Sequence, residues 1–267
     1  REFVIPGSRL RLDFYFPSKK VAVEYHGLYW HSEEKVGRTY HKDKHDLAAA
    51  AGIQVIHIFS DEWKFKKDAV ISLIKNRLGI VGDSVFARKL KVSKVTYEKA
   101  SEFLEENHIQ GKTTSSKYLG LTDAEGKLLA CIAYSMRGTG RKASDGFTCE
   151  ITRFASAVRV VGGFGKLLKA VVSENSEIRS VVTFSDSRVF LGNLYPTLGF
   201  KLTKTLPPDY TYIVKDRRVH KSNFTKEKFK ASENLQYIEG LTETQLAELN
   251  KLSRVWDCGK LRWELSV

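Results

Sequence analysis

Residues 11–33, RLDFYFPSKKVAVEYHGLYWHSE, decide how the rest of the chain is read. Residues 10–16 alternate apolar and polar positions as a half-buried strand does, PSKK makes a turn, and VAVEY forms a second short strand, so the segment reads as a β-hairpin. The hairpin brings Asp13 beside Glu24, and the stretch EYHGLYWHSE adds His26 and His31 around one glycine. Two carboxylates converging at strand ends are hard oxygen ligands for Mg²⁺, which keeps waters and takes phosphate oxygens together. His26 and His31, with ordinary pKa values near neutrality, suit proton transfer in phosphodiester hydrolysis. The same residues also suit a strand edge with surface ion pairs and turn-capping histidines. Tyr29, Trp30 and Trp63 are read as core or near-core packing.

Working outward, YHKDKHDLAAAA (residues 40–51) favours a helix that stops at Gly52, IQVIHIF reads as a buried strand, and residues 61–79 as one basic amphipathic helix. The order is β, β, α, β, α. The pattern breaks between Gly82 and Phe86, where a domain boundary is placed. The second part reads as a helix capped by Thr96, two strands around DAEG, the strand CEITRFAS, a glycine-rich loop running into a helix, the strand SVVTFSDS, a short helix and turn, and two further strands. The expected fold class is therefore α/β (α+β), with a small mixed-sheet domain over 1–80, an α/β domain over 84–220 and a basic, amphipathic tail over 221–267.

The chain has 267 residues, 42% apolar and 28% charged, with a formal net charge of +13. That length suits two domains, and that composition suits folded ones. The charge implies attraction to a polyanion, and double-stranded DNA is the expected partner. No stretch is long and apolar enough to span a membrane, and the first residues lack the apolar core of a signal peptide. Cys131, Cys149 and Cys258 are too far apart for a disulfide framework or a C-x-x-C zinc site. The expectation is a cytoplasmic protein in a reducing setting, preceded by an N-terminal segment outside the numbered sequence.

Three segments, HGLYWHSE, YHKDK and IFSDEW, occur in the order seen in phage-borne homing endonucleases with a very-short-patch-repair-like catalytic domain, which the chain resembles. The hairpin is equally similar to the PD-(D/E)XK nuclease superfamily, with His26 where the usual Lys stands. The resemblance implies a phage-encoded enzyme acting in a bacterial host on duplex DNA with Mg²⁺. Asp13 and Glu24 would hold the metal, His26 and His31 would handle protons, and Lys44 would stabilise charge. His41 and His45, one helical turn apart, are a weaker metal pair, with a solvated face the default for His45.

The run RVVGGFGKLLKAVV places Gly162, Gly163 and Gly165 before a helix, where backbone N–H groups and the helix dipole favour phosphate. A tight turn with close helix packing accounts for the same glycines. This loop resembles the R/Q-x-x-G-x-G/A motif of the acetyltransferase superfamily called GNAT, and NLYPTLGF resembles its LYxxxGF. The loop departs from the motif, with Phe164 where Gly or Ala belongs, or with Val160 where the basic or amide residue belongs. The implied role is a GNAT-like scaffold holding DNA, with no cofactor-binding residues. Residues 201–230 carry nine Lys or Arg against three Asp or Glu. Arg137, Arg141, Arg153, Lys166, Arg217, Arg218, Lys221 and Lys226 are the expected DNA contacts, although a solvated basic tail has the same composition. The leading expectation is a site-specific homing endonuclease. Mismatch-directed nicking and a GNAT-type acyl or other group transferase are the alternatives.

Overall fold

The structure is a computed structural model that describes residues 3–80, 82–136 and 147–267. The principal elements, in chain order, are β1 (Phe14–Phe16), β2 (Val21–His26), α1 (Tyr40–Ala50), β3 (Gln54–Phe59), α2 (Ser60–Phe65) and α3 (Lys67–Leu78). There follow β4 (Lys91–Lys94), α4 (Tyr97–Asn107), β5 (Lys117–Thr122), β6 (Leu128–Ser135), β7 (Thr148–Ser156), α5 (Gly163–Ser173), β8 (Ser180–Asp186) and β9 (Lys201–Leu206). The chain ends with β10 (Tyr210–Val214), β11 (Arg217–His220), α6 (Lys226–Ala231), α7 (Glu243–Leu249), β12 (Arg254–Trp256) and β13 (Lys260–Ser266). The architecture is mixed α/β.

Contacts divide the chain into two units, one of Arg1–Phe65, Asp186–Val189 and Leu206–Lys260, the other of Lys66–Ser185, Phe190–Thr205 and Leu261–Val267. In unit 1 the quoted hairpin forms as read, with Phe14 opposite Val23 and Phe16 opposite Val21 in antiparallel register. β3 joins β2 in parallel, Val21 opposite Gln54 through His26 opposite Phe59. That pairing needs a crossover, and α1 supplies it. Gly52, at φ 73°, turns the chain from α1 into β3. Ala48 of α1 packs on Ala22 and Val55 in a core completed by Ile5, Leu12 and Ile53. The distal segment of unit 1 forms a three-stranded sheet in the order β11-β10-β12, with Tyr212 and Phe224 buried against Phe229, Leu246 and Ala247 of α6 and α7.

Unit 2 is a seven-stranded sheet in the order β9-β13-β8-β7-β6-β5-β4. Alternation along its strands serves a helix on each face. Tyr118, Cys131 and Ala133 pack with Ala100, Phe103 and Leu104 of α4. Leu119, Leu121, Ala130 and Ile132 pack with Phe164, Leu167, Leu168 and Val171 of α5.

Two readings change. The single helix expected over 61–79 breaks at Lys66, whose φ of −135° is not helical. The last residues are not only tail: Leu261, Trp263 and Leu265 alternate inward on β13 and join the core of unit 2. Among the described residues no helix is long and apolar enough to cross a membrane.

Candidate functional site

Because β2 and β3 pair in parallel with Glu24 opposite His57 and His26 opposite Phe59, those four side chains share one face of the unit 1 sheet. On α1, His41, Lys44, His45 and Ala48 fall at i, i+3, i+4 and i+7, one stripe of the helix. The stripe meets the sheet face. Lys44 Nζ donates to Glu24 Oε2, both side chains being buried. Glu24 Oε1 accepts the Asp13 N–H at 2.9 Å, and Asp13 Oδ2 accepts the Tyr25 N–H at 2.8 Å. Burial raises the Glu24 carboxyl, with Lys44 opposing that shift. Asp13, Glu24, His26, His31 and Lys44, expected together from sequence, are together here.

The histidines form a continuous line. His41 Nε2 lies 3.0 Å from His31 Nδ1, His31 Nε2 lies 3.3 Å from His26 Nδ1, and His26 Nε2 lies 2.9 Å from His57 Nδ1. Burial, followed by the neighbouring rings, pushes His26 well below its ordinary value, and it does the same to His57. Burial also brings His41 down to about 3 and lowers His31 and His45. These rings are neutral at pH 7. His26 has both nitrogens engaged by other histidines, so neither is free to take a proton from an attacking water.

Behind this line sits an ion network that the sequence reading misses. Arg188 is buried; its Nη1 donates to the His57 carbonyl at 2.6 Å and to Glu62 Oε2 at 2.8 Å, and its Nη2 meets Glu62 Oε1 at 2.8 Å. Glu62 also accepts the Phe59 N–H at 2.9 Å, and the two arginines beside it hold its carboxyl below the usual range against the opposing effect of burial. His57 is missed as well, although a histidine inside the apolar run QVIHIF is the available signal. Cys258, buried and outside any disulfide like Cys131 and Cys149, also belongs to unit 1.

The expected DNA contacts scatter. Arg218 is committed to Asp61 at 3.0 Å and to Glu62 at 2.8 Å, and Arg217 lies 3.6 Å from the Phe65 ring centroid. Lys221 pairs with Asp209 at 2.5 Å, and Lys226 is exposed. In unit 2, Arg153 donates to the Thr152 carbonyl, and Lys166 Nζ donates to the carbonyls of Ala87 and Leu90 at 3.0 and 2.5 Å. Arg137 and Arg141 lie outside the described residues. Trp30 and Tyr29 are not core: they are 69% and 62% exposed on the loop after β2, and Trp63 is 40% exposed. The helical turn through residues 28–32 buries Leu28 and Ser32 instead.

Unit 2 offers a different kind of site. β7 and β8 pair in parallel only from Thr148–Ser180 to Ile151–Thr183, although both strands run on, and β7 shifts register against β6 between Ile151 and Arg153. The chain then reaches Gly162, at φ 76°, and α5 begins. A Cβ on Gly163 would lie 2.9 Å from Val160 Cγ1, so the close packing expected of these glycines is present. The Lys166 N–H bonds to the Gly162 carbonyl, which leaves the N–H groups of Gly163, Phe164 and Gly165 as the first-turn donors without a helical acceptor. Tyr195 packs against Phe164, with its hydroxyl on Thr183, and burial raises its pKa.

No family model matches the chain, and no curated protein does. Solved structures do. An acetyltransferase from Bacillus subtilis in complex with CoA matches at 11% identity and a TM-score of 0.38, over 67% of this chain and 99% of that one. The ribosomal-protein-S18-alanine N-acetyltransferase from Escherichia coli matches at 12% identity and 0.39, over 67% and 94%. The spermidine/spermine N-acetyltransferase SpeG from Vibrio cholerae, in complex with manganese ions, matches at 9% and 0.39, over 67% and 94%. At these identities the likeness concerns the fold. The matched structures are acetyltransferases rather than nucleases, so the expected metal-dependent DNA endonuclease, of homing or mismatch type, is corrected and set aside; the engaged nitrogens of His26 run the same way.

Proposed function

We propose that the protein is a GNAT-type group transferase whose donor is a phosphate-bearing thioester such as acetyl-CoA. The observation that carries this reading is the parting of β7 from β8 immediately before a glycine loop that opens α5. Ligands of open parallel sheets lie at the carboxyl ends of the strands, and free first-turn N–H groups suit a pyrophosphate. The glycines themselves serve packing, Gly163 against Val160, so the free first-turn N–H groups alone would take that group. Lys166 is spent on tethering the loop to the Ala87–Leu90 segment, so backbone donors rather than a lysine would carry the contact.

Acyl transfer releases a thiolate that needs a proton. Tyr195, held protonated by burial and placed on Thr183 at the last paired position of β7 and β8, is positioned to supply it. The net charge of +13 supports duplex DNA as the surface-bound partner, through contacts that weaken as salt rises. The test is thiol release from acetyl-CoA across a panel of primary amines with and without duplex DNA. Release above the protein-free rate, reduced in Tyr195→Phe while CoA still binds, supports the reading; no release with any acceptor rejects it.

A further inference from the structure

The histidine line of unit 1 ends on an atom with nothing to bond. His57 is 0% exposed, its Nδ1 meets His26, and its Nε2 has no partner. His45 Nδ1 is also buried without a partner, and its ring centroid lies 5.7 Å from that of His57. A buried polar atom left so is unfavourable until something bonds it. Cys258 completes the setting: one ligand atom from each of His45, His57 and Cys258 lies within 4.8 Å of the other two. A tight turn fixes the cysteine. The Gly259 N–H and the Asp209 N–H both donate to Asp257 Oδ1 at 2.8 Å, and a Cβ on Gly259 would sit 2.3 Å from the Leu206 carbonyl oxygen.

We propose that His45, His57 and Cys258 bind a single zinc ion. Two imidazole nitrogens and a thiolate are the donors zinc prefers, and three protein ligands leave the fourth tetrahedral position open. Bonds of about 2.0 to 2.3 Å draw such ligand atoms to roughly 3.3–3.8 Å from one another. The half-buried His45, at the helix surface, has the freedom to close that gap. Burial raises the Cys258 thiol, so binding displaces its proton. Zinc on His57 Nε2 makes Nδ1 the N–H that donates to His26, and one tautomer then runs through the line: His26 donates from Nδ1 to His31, and His31 from Nδ1 to His41. In the other histidine set, His26, His31 and His41, the nitrogens that face one another are occupied with this internal bonding; His41 Nδ1, buried without a partner, is the far end of the line. The proposal is independent of any activity in unit 2.

Cobalt(II) reconstitution of the chelator-stripped full chain tests it. The expected result is one cobalt per chain by elemental analysis and a thiolate-to-cobalt charge-transfer band. The band survives in the double variant Cys131→Ser/Cys149→Ser and is lost in Cys258→Ser. His45→Gln, with unchanged far-UV circular dichroism, weakens cobalt binding by more than the roughly 10- to 100-fold that loss of an outer-shell partner costs. Cobalt bound without the charge-transfer band would place the ion on nitrogen ligands and overturn the assignment. So would a folded wild type that binds no cobalt, or a band lost only when Cys131 and Cys149 are replaced.

Discussion

The two units concentrate polar groups in opposite ways. Unit 1 gathers side chains, five histidines with Glu24, Lys44, Glu62 and Arg188, between a three-stranded sheet and one helix, most of them buried. Unit 2 buries fewer, Glu150, Asn175, Thr183 and Ser185, and the site proposed there is backbone, three N–H groups after a glycine turn beside two parting strands. A side-chain site of the first kind carries a large desolvation cost that its internal bonds must offset. A backbone site of the second kind is made by the same turn that starts the helix. Substitutions in unit 1 should therefore be felt first as stability, and substitutions at the unit 2 loop first as binding.

The largest effect is expected at Arg188. Arg188→Ala leaves Glu62 buried opposite a void on one side, and loss of one partner from a buried pair costs about 3–5 kcal/mol. Urea unfolding measures it; a loss below ~1 kcal/mol would mean that Arg218 alone satisfies Glu62. Acid is next. The histidines have folded pKa values below the unfolded 6.5, so the unfolded chain binds protons first and their contribution is complete only above 6.5. It is lost as pH falls through the window toward about 3, the folded value of His41, at up to about 1.4 kcal/mol per pH unit for each ring held neutral. Unfolding midpoints in chelator should hold above pH 6.5 and drop steeply from 6.5 to 5; a flat profile would show that the rings are not held neutral. At the small end, Trp30→Ala should change stability by no more than ~0.5 kcal/mol, because the ring is 69% exposed.

That last prediction marks what the sequence made legible. Period-two alternation is a local signal that places the hairpin and with it Asp13 and Glu24; an apolar run places β3, and helix-favouring residues before Gly52 place α1. Lys44 joins the group only through the family likeness, and the solvated face expected of His45 is half-buried, because the stripe that α1 turns to the sheet is set by packing rather than by residue type. Arg188 and Cys258 arrive from segments far along the chain, and nothing near them announces a histidine or a glutamate as partner. Trp30 is misread because an aromatic residue beside a strand defaults to core, whereas a turn after β2 points it outward. The β13 strand is legible in principle from Leu261, Trp263 and Leu265, but reading residues 221–267 as one tail hides it.

The likeness to the nuclease family rests on three short segments, and the geometry shows another use for each. HGLYWHSE and YHKDK supply the histidine line and the Lys44–Glu24 pair, and IFSDEW supplies Glu62, which anchors Arg188 and the end of β3. Each residue has an internal partner, so the cluster holds its sheet and helix together whatever chemistry is assigned to it.

Binding of a phosphate-bearing thioester at the α5 loop is measured by calorimetric titration of CoA into the wild type and Gly165→Asp. An aspartate in the first turn is favourable to the helix and repels phosphate; its Cβ would lie 3.3 Å from Leu198 Cδ2, so the variant is titrated once its far-UV circular dichroism matches the wild type. The expected result is saturable one-to-one binding to the wild type, weakened in the variant by at least about tenfold, ~1.4 kcal/mol. Absence of CoA binding by the folded wild type, or equal binding by both proteins, would contradict it.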